Sequence, residues 1–256
     1  MHFTKIQYYI DLIMVFTQKE LKVRYKSSFL GYLWSIANPL ALATVFFFAF
    51  KIVMKIPMED YALFLITGLF PFQWFSNSVG MSPMVFFGNS SLVKKVNFPR
   101  HLLLISMVLQ DMIHFILSIP VIILFIFIYH KPPFFSWIYG IPILLFVQFL
   151  IIYGITLAIS SINLFFRDLE RITGILITLL FYLTPVFYPE TMIPYKYRPL
   201  INLNPLAPLI ISWRNLFLHG TVNVSSFSIS LLYAIFIFIA GYAIYRKLSW
   251  KFAEVL

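Results

Sequence analysis

Proton-transfer chemistry needs carboxylates and imidazoles held close together, and this chain is poor in both, with nine Asp and Glu and five His among 256 residues. Most of the acids, such as Glu59, Asp60, Glu190 and Glu254, fall near the ends of apolar runs. Only Asp111 lies inside one, with His114 a helical turn further on and His101 upstream. Proton-coupled transporters usually rely on buried acid or His relays, and one Asp–His pair reads more simply as structural. Cysteine is absent, which removes disulfides, thiolate metal sites and Cys nucleophiles. Neither H-E-x-x-H, nor zinc-ligand spacing, nor the phosphate loop G-x-x-x-x-G-K-[ST] occurs. No catalytic residue, metal or resident cofactor is therefore expected, and uphill work must draw its energy from another polypeptide. Three classes stay open at this point. They are a transporter subunit, a channel, or a membrane enzyme such as a glycan ligase or acyltransferase built on His101, Asp111 and His114. A channel has little support, because no charged selectivity ring is visible.

The densest charge is a knot of four charges in five residues, Arg167, Asp168, Glu170 and Arg171, in LFFRDLERITGILITLLFYLTPVFYPE. After it the chain runs without charge for about a membrane thickness, up to Pro185 and Pro189.

The elements that position these groups follow from composition. Hydrophobic residues make up 61% of the chain and charged residues 11%, with a mean hydropathy of +0.90. Soluble domains are about 25% charged, so lipid must solvate much of this surface. The net charge of +10 would suggest nucleic acid in a soluble protein. Here the basic residues flank apolar runs, which points to topology and anionic headgroups instead. The predicted fold is an all-α integral membrane protein with six spans at about 30–54, 61–86, 102–129, 138–165, 172–189 and 226–246. Pro71, Pro83 and Gly88 interrupt the second, and Pro120 is expected to bend the third. Residues 1–29 read as an amphipathic interface helix, with Ile6, Ile10 and Ile13 on one side. Residues 30–256 form the membrane domain, and the prolines between 189 and 220 leave only short helices at the outer face. With the N-terminus inside, 13 of the 19 Lys and Arg become cytoplasmic. The positive-inside rule then places both termini in the cytoplasm, and the knot becomes a cytoplasmic turn whose mixed signs suit local ion pairing.

Several segments resemble one family. The stretch QKELKVRYKSSFLGYLWSIANPL, with Arg24, Tyr25, Lys26, Ser28, Gly31, Trp34 and Pro39, is similar to the opening of permease subunits of polysaccharide-exporting ABC transporters. The knot with Leu169 and Ile172, followed by Leu183, Thr184, Pro185, Tyr188 and Pro189, resembles a second signature of that family. The segments LNPLAPLIISWRNLFLHG and the closing FAEVL are also similar to it.

The resemblance implies two permeases working with two ATP-binding subunits, which carry the ATP and Mg, to export a lipid-linked glycan such as O antigen, capsule or teichoic acid across the bacterial inner membrane. An ABC permease for another lipid or a drug is the alternative within the class. It implies that residues 89–100 form a coupling helix, with Lys94, Lys95, Val96 and Phe98, and the knot Arg167, Asp168, Glu170 and Arg171, facing the ATPase. Aromatics that could stack on sugars along a pore are Tyr32, Trp34, Phe70, Phe72, Trp74, Phe181, Tyr182, Phe187 and Tyr188. Lys22, Arg24 and Lys26 are candidates to meet a lipid-pyrophosphate head. Residues 190–218, with Tyr195, Tyr197, Trp213 and Arg214, are the candidate external gate.

Overall fold

The computed structural model describes residues 2–24, 31–55, 57–58 and 60–256, and among them every regular element is helical. Lys26 lies outside the described residues, as do Tyr25 and Ser28 and the side chains of Arg24 and Tyr32. The long elements are α1 (His2–Arg24), α2 (Trp34–Phe46), which continues as a π-helix (Phe47–Val53), and α3 (Tyr61–Met81). Two short helices follow, α4 (Val85–Gly88) and α5 (Ser90–Lys95), and then α6 (His101–Ile128), α7 (Trp137–Asn163) and α8 (Leu169–Leu183). The chain closes with α9 (Arg198–Ile201), α10 (Ala207–His219), α11 (Val224–Leu248) and α12 (Phe252–Val255).

Among the described residues, four segments are long and apolar enough to cross a membrane: Ile36–Val53, His101–Ile128, Trp137–Asn163 and Val224–Val255. The other two expected spans differ for identifiable reasons. Helix α3 is 21 residues long but carries Gln73, Ser76, Asn77 and Ser78, polar groups it can hold because protein surrounds it. It ends at Met81, where Pro83 opens a 3-10 turn over Ser82–Met84. Helix α8 has 15 residues, about 22 Å at 1.5 Å per residue, short of the ~30 Å hydrocarbon core. It stops because Thr184 turns extended (φ −92°, ψ 138°) ahead of Pro185, as a residue before proline tends to. Residues 184–187 then run buried without helical structure. Helix α6 continues through Pro120 without a break.

Helices α7 and α11 form the most extensive pair. A Cβ on Gly241 would collide with the Gly154 carbonyl, and one on Gly154 would sit 2.7 Å from backbone atoms of Ile237 and Phe238. Small residues let membrane helices approach to backbone contact, where dispersion replaces the missing hydrophobic drive. The main core gathers α3, α6, α7, α10 and residues 186–187. A second cluster at the basic end joins α4, α5, the starts of α6 and α12 and the ends of α7 and α11, with Leu12 and Phe16 of α1 packed against it.

Candidate functional site

At the end opposite the basic cluster, three side chains hold the irregular segment after α8. Tyr61 at the start of α3 donates to the Phe187 carbonyl at 2.8 Å. Arg214 of α10 donates to the Val186 carbonyl at 2.9 Å. Asn204 donates to the Thr184 hydroxyl at 2.8 Å. The Arg214 guanidinium is buried, lies 3.6 Å from the centre of the Phe64 ring, and leaves its Nε without a partner. Burial pulls it down to about 9, with Glu190 and Tyr61 opposing, so it remains charged at neutral pH. Gly68 makes this possible, since a Cβ there would stand 2.6 Å from Arg214 Nη2.

Of the four candidate gate residues, Tyr195 and Tyr197 are exposed, whereas Trp213 and Arg214 are buried. Trp213 donates to Gln148 Oε1 at 2.6 Å, and Gln148 donates in turn to the Pro71 carbonyl at 2.7 Å. This polar bridge ties α10, α7 and α3 together, because unpaired polar groups in such a core would cost several kcal/mol each. Sequence reading missed Tyr61, Gly68 and Gln148. The available signal was a lone Arg in an apolar stretch, which needs a small residue opposite it.

The expected pore aromatics divide in two. Phe70, Phe72 and Trp74 are buried inside this chain, and Trp74 donates to the Val108 carbonyl at 3.2 Å. Phe187 is a hub, with ring centres of Phe46, Phe50, Phe181 and Tyr188 at 5.5, 5.2, 5.6 and 5.1 Å. Trp34 and Tyr182 are exposed, and Phe181 and Tyr188 are half-buried. The outward side of α8 is apolar, with Ile172, Ile175, Leu176, Leu179 and Leu183 exposed at helical spacing.

At the basic end, α5 presents Lys94 and Lys95 to solvent and Val96 beyond them, while Val93 and Phe98 are buried in the second cluster. Phe98 therefore anchors this segment to its own chain instead of offering it outward. Arg167, Asp168, Glu170 and Arg171 lie at the surface, and among the described residues they make no ion pair with one another. Arg167 lies instead over the Phe87 ring at 5.3 Å, which brings the knot beside α4. A cleft of about 200 Å³ lined by Met84, Phe87, Asn163, Arg167 and Glu170 separates them. Lys19 of α1 donates to Asn89 Oδ1 at 2.7 Å, and Lys22 is on the same helix. The face of α1 turned to the protein carries Leu12, Ile13, Phe16 and Thr17, and Ile6 and Ile10 stay exposed.

Asp111 and His114 are buried on α6, where the Ser78 hydroxyl donates to Asp111 Oδ2 at 2.8 Å. His101 is ten residues upstream on the same unbroken helix, about 15 Å away along its axis. It packs edge-on against Tyr245 instead. The three groups do not assemble into one site.

Among the described residues the chain is all-helical, with several apolar helices of membrane-crossing length, which defines a multi-pass membrane protein. The chain belongs to the ABC-2 type transporter family, whose pattern matches residues 11–218. It is 47% identical to the O-antigen export system permease protein RfbA of Klebsiella pneumoniae, over 97% of this chain and 96% of that one. It is 34% identical to the O-antigen export system permease protein RfbA of Myxococcus xanthus, over 82% of this chain and 81% of that one. The polysialic acid transport protein KpsM of Escherichia coli is 25% identical over 89% and 90% of the two chains.

Proposed function

We propose that this chain is the membrane-spanning subunit of an ATP-driven exporter that moves a lipid-linked, O-antigen-like polysaccharide out of the cytoplasm across the bacterial inner membrane. The likeness to O-antigen export permeases along nearly the whole chain carries the reading. On this reading α3 and α8 complete a set of six spans, both termini are cytoplasmic, and the basic end faces the cytoplasm. Two copies work with two ATP-binding subunits. The bare apolar side of α8 and the exposed Trp34 and Tyr182 are the surfaces left for a second copy or for the sugar chain. Tyr195 and Tyr197 stand over the outer exit. Lys22, with Arg24 and Lys26, meets the anionic head of the substrate.

Helix α5 is the coupling helix, with Lys94, Lys95 and Val96 turned outward. The test is co-expression with an ATP-binding subunit from the neighbouring genes, followed by purification, ATPase assay and an export assay. Wild type should bring down that subunit in equal copies. Lys94→Glu combined with Lys95→Glu should cut recovery or ATPase activity at least tenfold. A wild-type chain that purifies alone and hydrolyses nothing with any neighbouring subunit would overturn the reading.

A further inference from the structure

The closing segment FAEVL has no part in the function described so far, yet it is packed against the coupling helix. Phe252 is fully buried, with its ring 4.8 Å from that of Phe86 and 5.8 Å from that of Tyr245. Helix α12 contacts α5 directly. The link is reinforced by a reciprocal cap between two membrane helices. Arg100, just before α6, donates to the carbonyl of Ser249 at the end of α11, at 2.7 Å. The backbone N–H of His101, at the start of α6, donates to the Tyr245 hydroxyl at 3.2 Å. The first N–H and last C=O groups of a helix have no partners within it. A cation also suits the negative end of the α11 dipole. Helix α5 has six residues, too few to hold a helix on its own, so its place depends on these neighbours.

Resting on the exporter reading above, we propose that residues 249–256 form a clasp joining the coupling helix to the last membrane helix. Force applied at α5 then reaches α11 through Phe252 and Arg100, which act as positioning residues. The clasp holds α5 in the pose from which a push by the ATP-binding subunit moves the membrane helices. Without it the same push is absorbed in the loop. Hydrolysis then continues while export falls.

The experiment uses the complete complex in proteoliposomes, measuring recovery of the ATP-binding subunit, ATP hydrolysis and polymer exported per ATP. Phe252→Ala should leave recovery and hydrolysis within twofold of wild type and lower export per ATP at least fivefold. Phe252→Leu should restore most of that ratio, and Trp250→Ala, at an exposed neighbour, should not change it. The proposal is overturned if Phe252→Ala keeps wild-type export per ATP, or if export and hydrolysis fall in proportion. Because the chain has no cysteine, Phe86→Cys with Phe252→Cys provides a second test, in which the link can be made and broken in one and the same protein. Reduced, that pair lacks both rings and should export little per ATP; cross-linking should raise the ratio towards wild type, and a cross-linked pair that exports no better per ATP than the reduced one would overturn the proposal. Failure of the exporter reading itself is distinguishable, since wild type would then recover no ATP-binding subunit.

Discussion

Gly68→Ala is a small change with a large expected cost, and its origin can be isolated. The new Cβ would lie 2.6 Å from Arg214 Nη2, and ordinary contact begins at 3.4 Å. If the guanidinium withdraws to that distance, its 2.9 Å bond to the Val186 carbonyl is broken or badly bent. Losing a hydrogen bond to a charged group costs about 1.5–3 kcal/mol, so Gly68→Ala should destabilise by about 2–3 kcal/mol. Arg214→Met keeps the stem and removes the charge. It loses the same bond and a desolvated contact with the Phe64 ring worth about 2 kcal/mol. It also removes the cost of burying a cation, leaving a net loss of about 1–2 kcal/mol. In the Arg214→Met background, Gly68→Ala should then add less than about 1 kcal/mol, because the remaining neighbours, the Val186 carbonyl at 3.2 Å and Ile210 at 3.4 Å, are only slightly tight. Thermal unfolding of the four purified proteins in one detergent closes the cycle, at about 2–4 °C of Tm per kcal/mol for chains of this size. Additivity within about 0.5 kcal/mol would refute the idea that Gly68 exists to admit the guanidinium.

Three further outcomes are expected. Gln148→Leu should lower stability by about 2–4 kcal/mol in the same melt, because it leaves the buried Trp213 Nε1 without its acceptor and removes a donor from the Pro71 carbonyl. An equal or higher Tm would show the bridge is dispensable. Gly241→Val should reduce the amount of folded protein recovered from membranes several-fold, since its side chain meets the Gly154 backbone, whereas Gly174→Ala, with open space around it, should be neutral. Asp111→Asn retains an acceptor for the Ser78 hydroxyl, so export should stay within about twofold of wild type. Loss of export with intact assembly would return a proton relay to consideration.

The long apolar helices α6, α7 and α11 were legible in the sequence, because a run of about 20 apolar residues has few other uses. Their inward faces were not. In a helix that is apolar all round, periodicity cannot separate a side facing lipid from one facing protein. Trp74 and Tyr182 therefore looked alike as pore candidates, yet one is buried against α6 and the other is exposed. Phe98 illustrates the same limit at the basic end, where an aromatic beside two lysines suggested an outward anchor and the ring turns into the second cluster. Arg214 was visible as an isolated charge, but its burial depends on a glycine roughly 150 residues earlier, a pairing that no local pattern reveals. The proline signals divided: Pro83 and Pro185 mark the breaks after α3 and α8, whereas α3 runs on through Pro71, expected to interrupt it, and α6 through Pro120.

The backbone contact between Gly154 and Gly241 also sets a timetable for biogenesis. A ribosome adding about 5–20 residues per second delivers Gly241 several seconds after Gly154, so α7 must reside in the bilayer before its closest neighbour exists. During that interval the bare Gly154 backbone has no α11 against it. Thr156 and Ser161 already donate to carbonyls within their own helix, Tyr153 and Leu157, at 2.9 and 2.6 Å. Such self-contained hydroxyls lower the cost of holding α7 in lipid until α11 arrives.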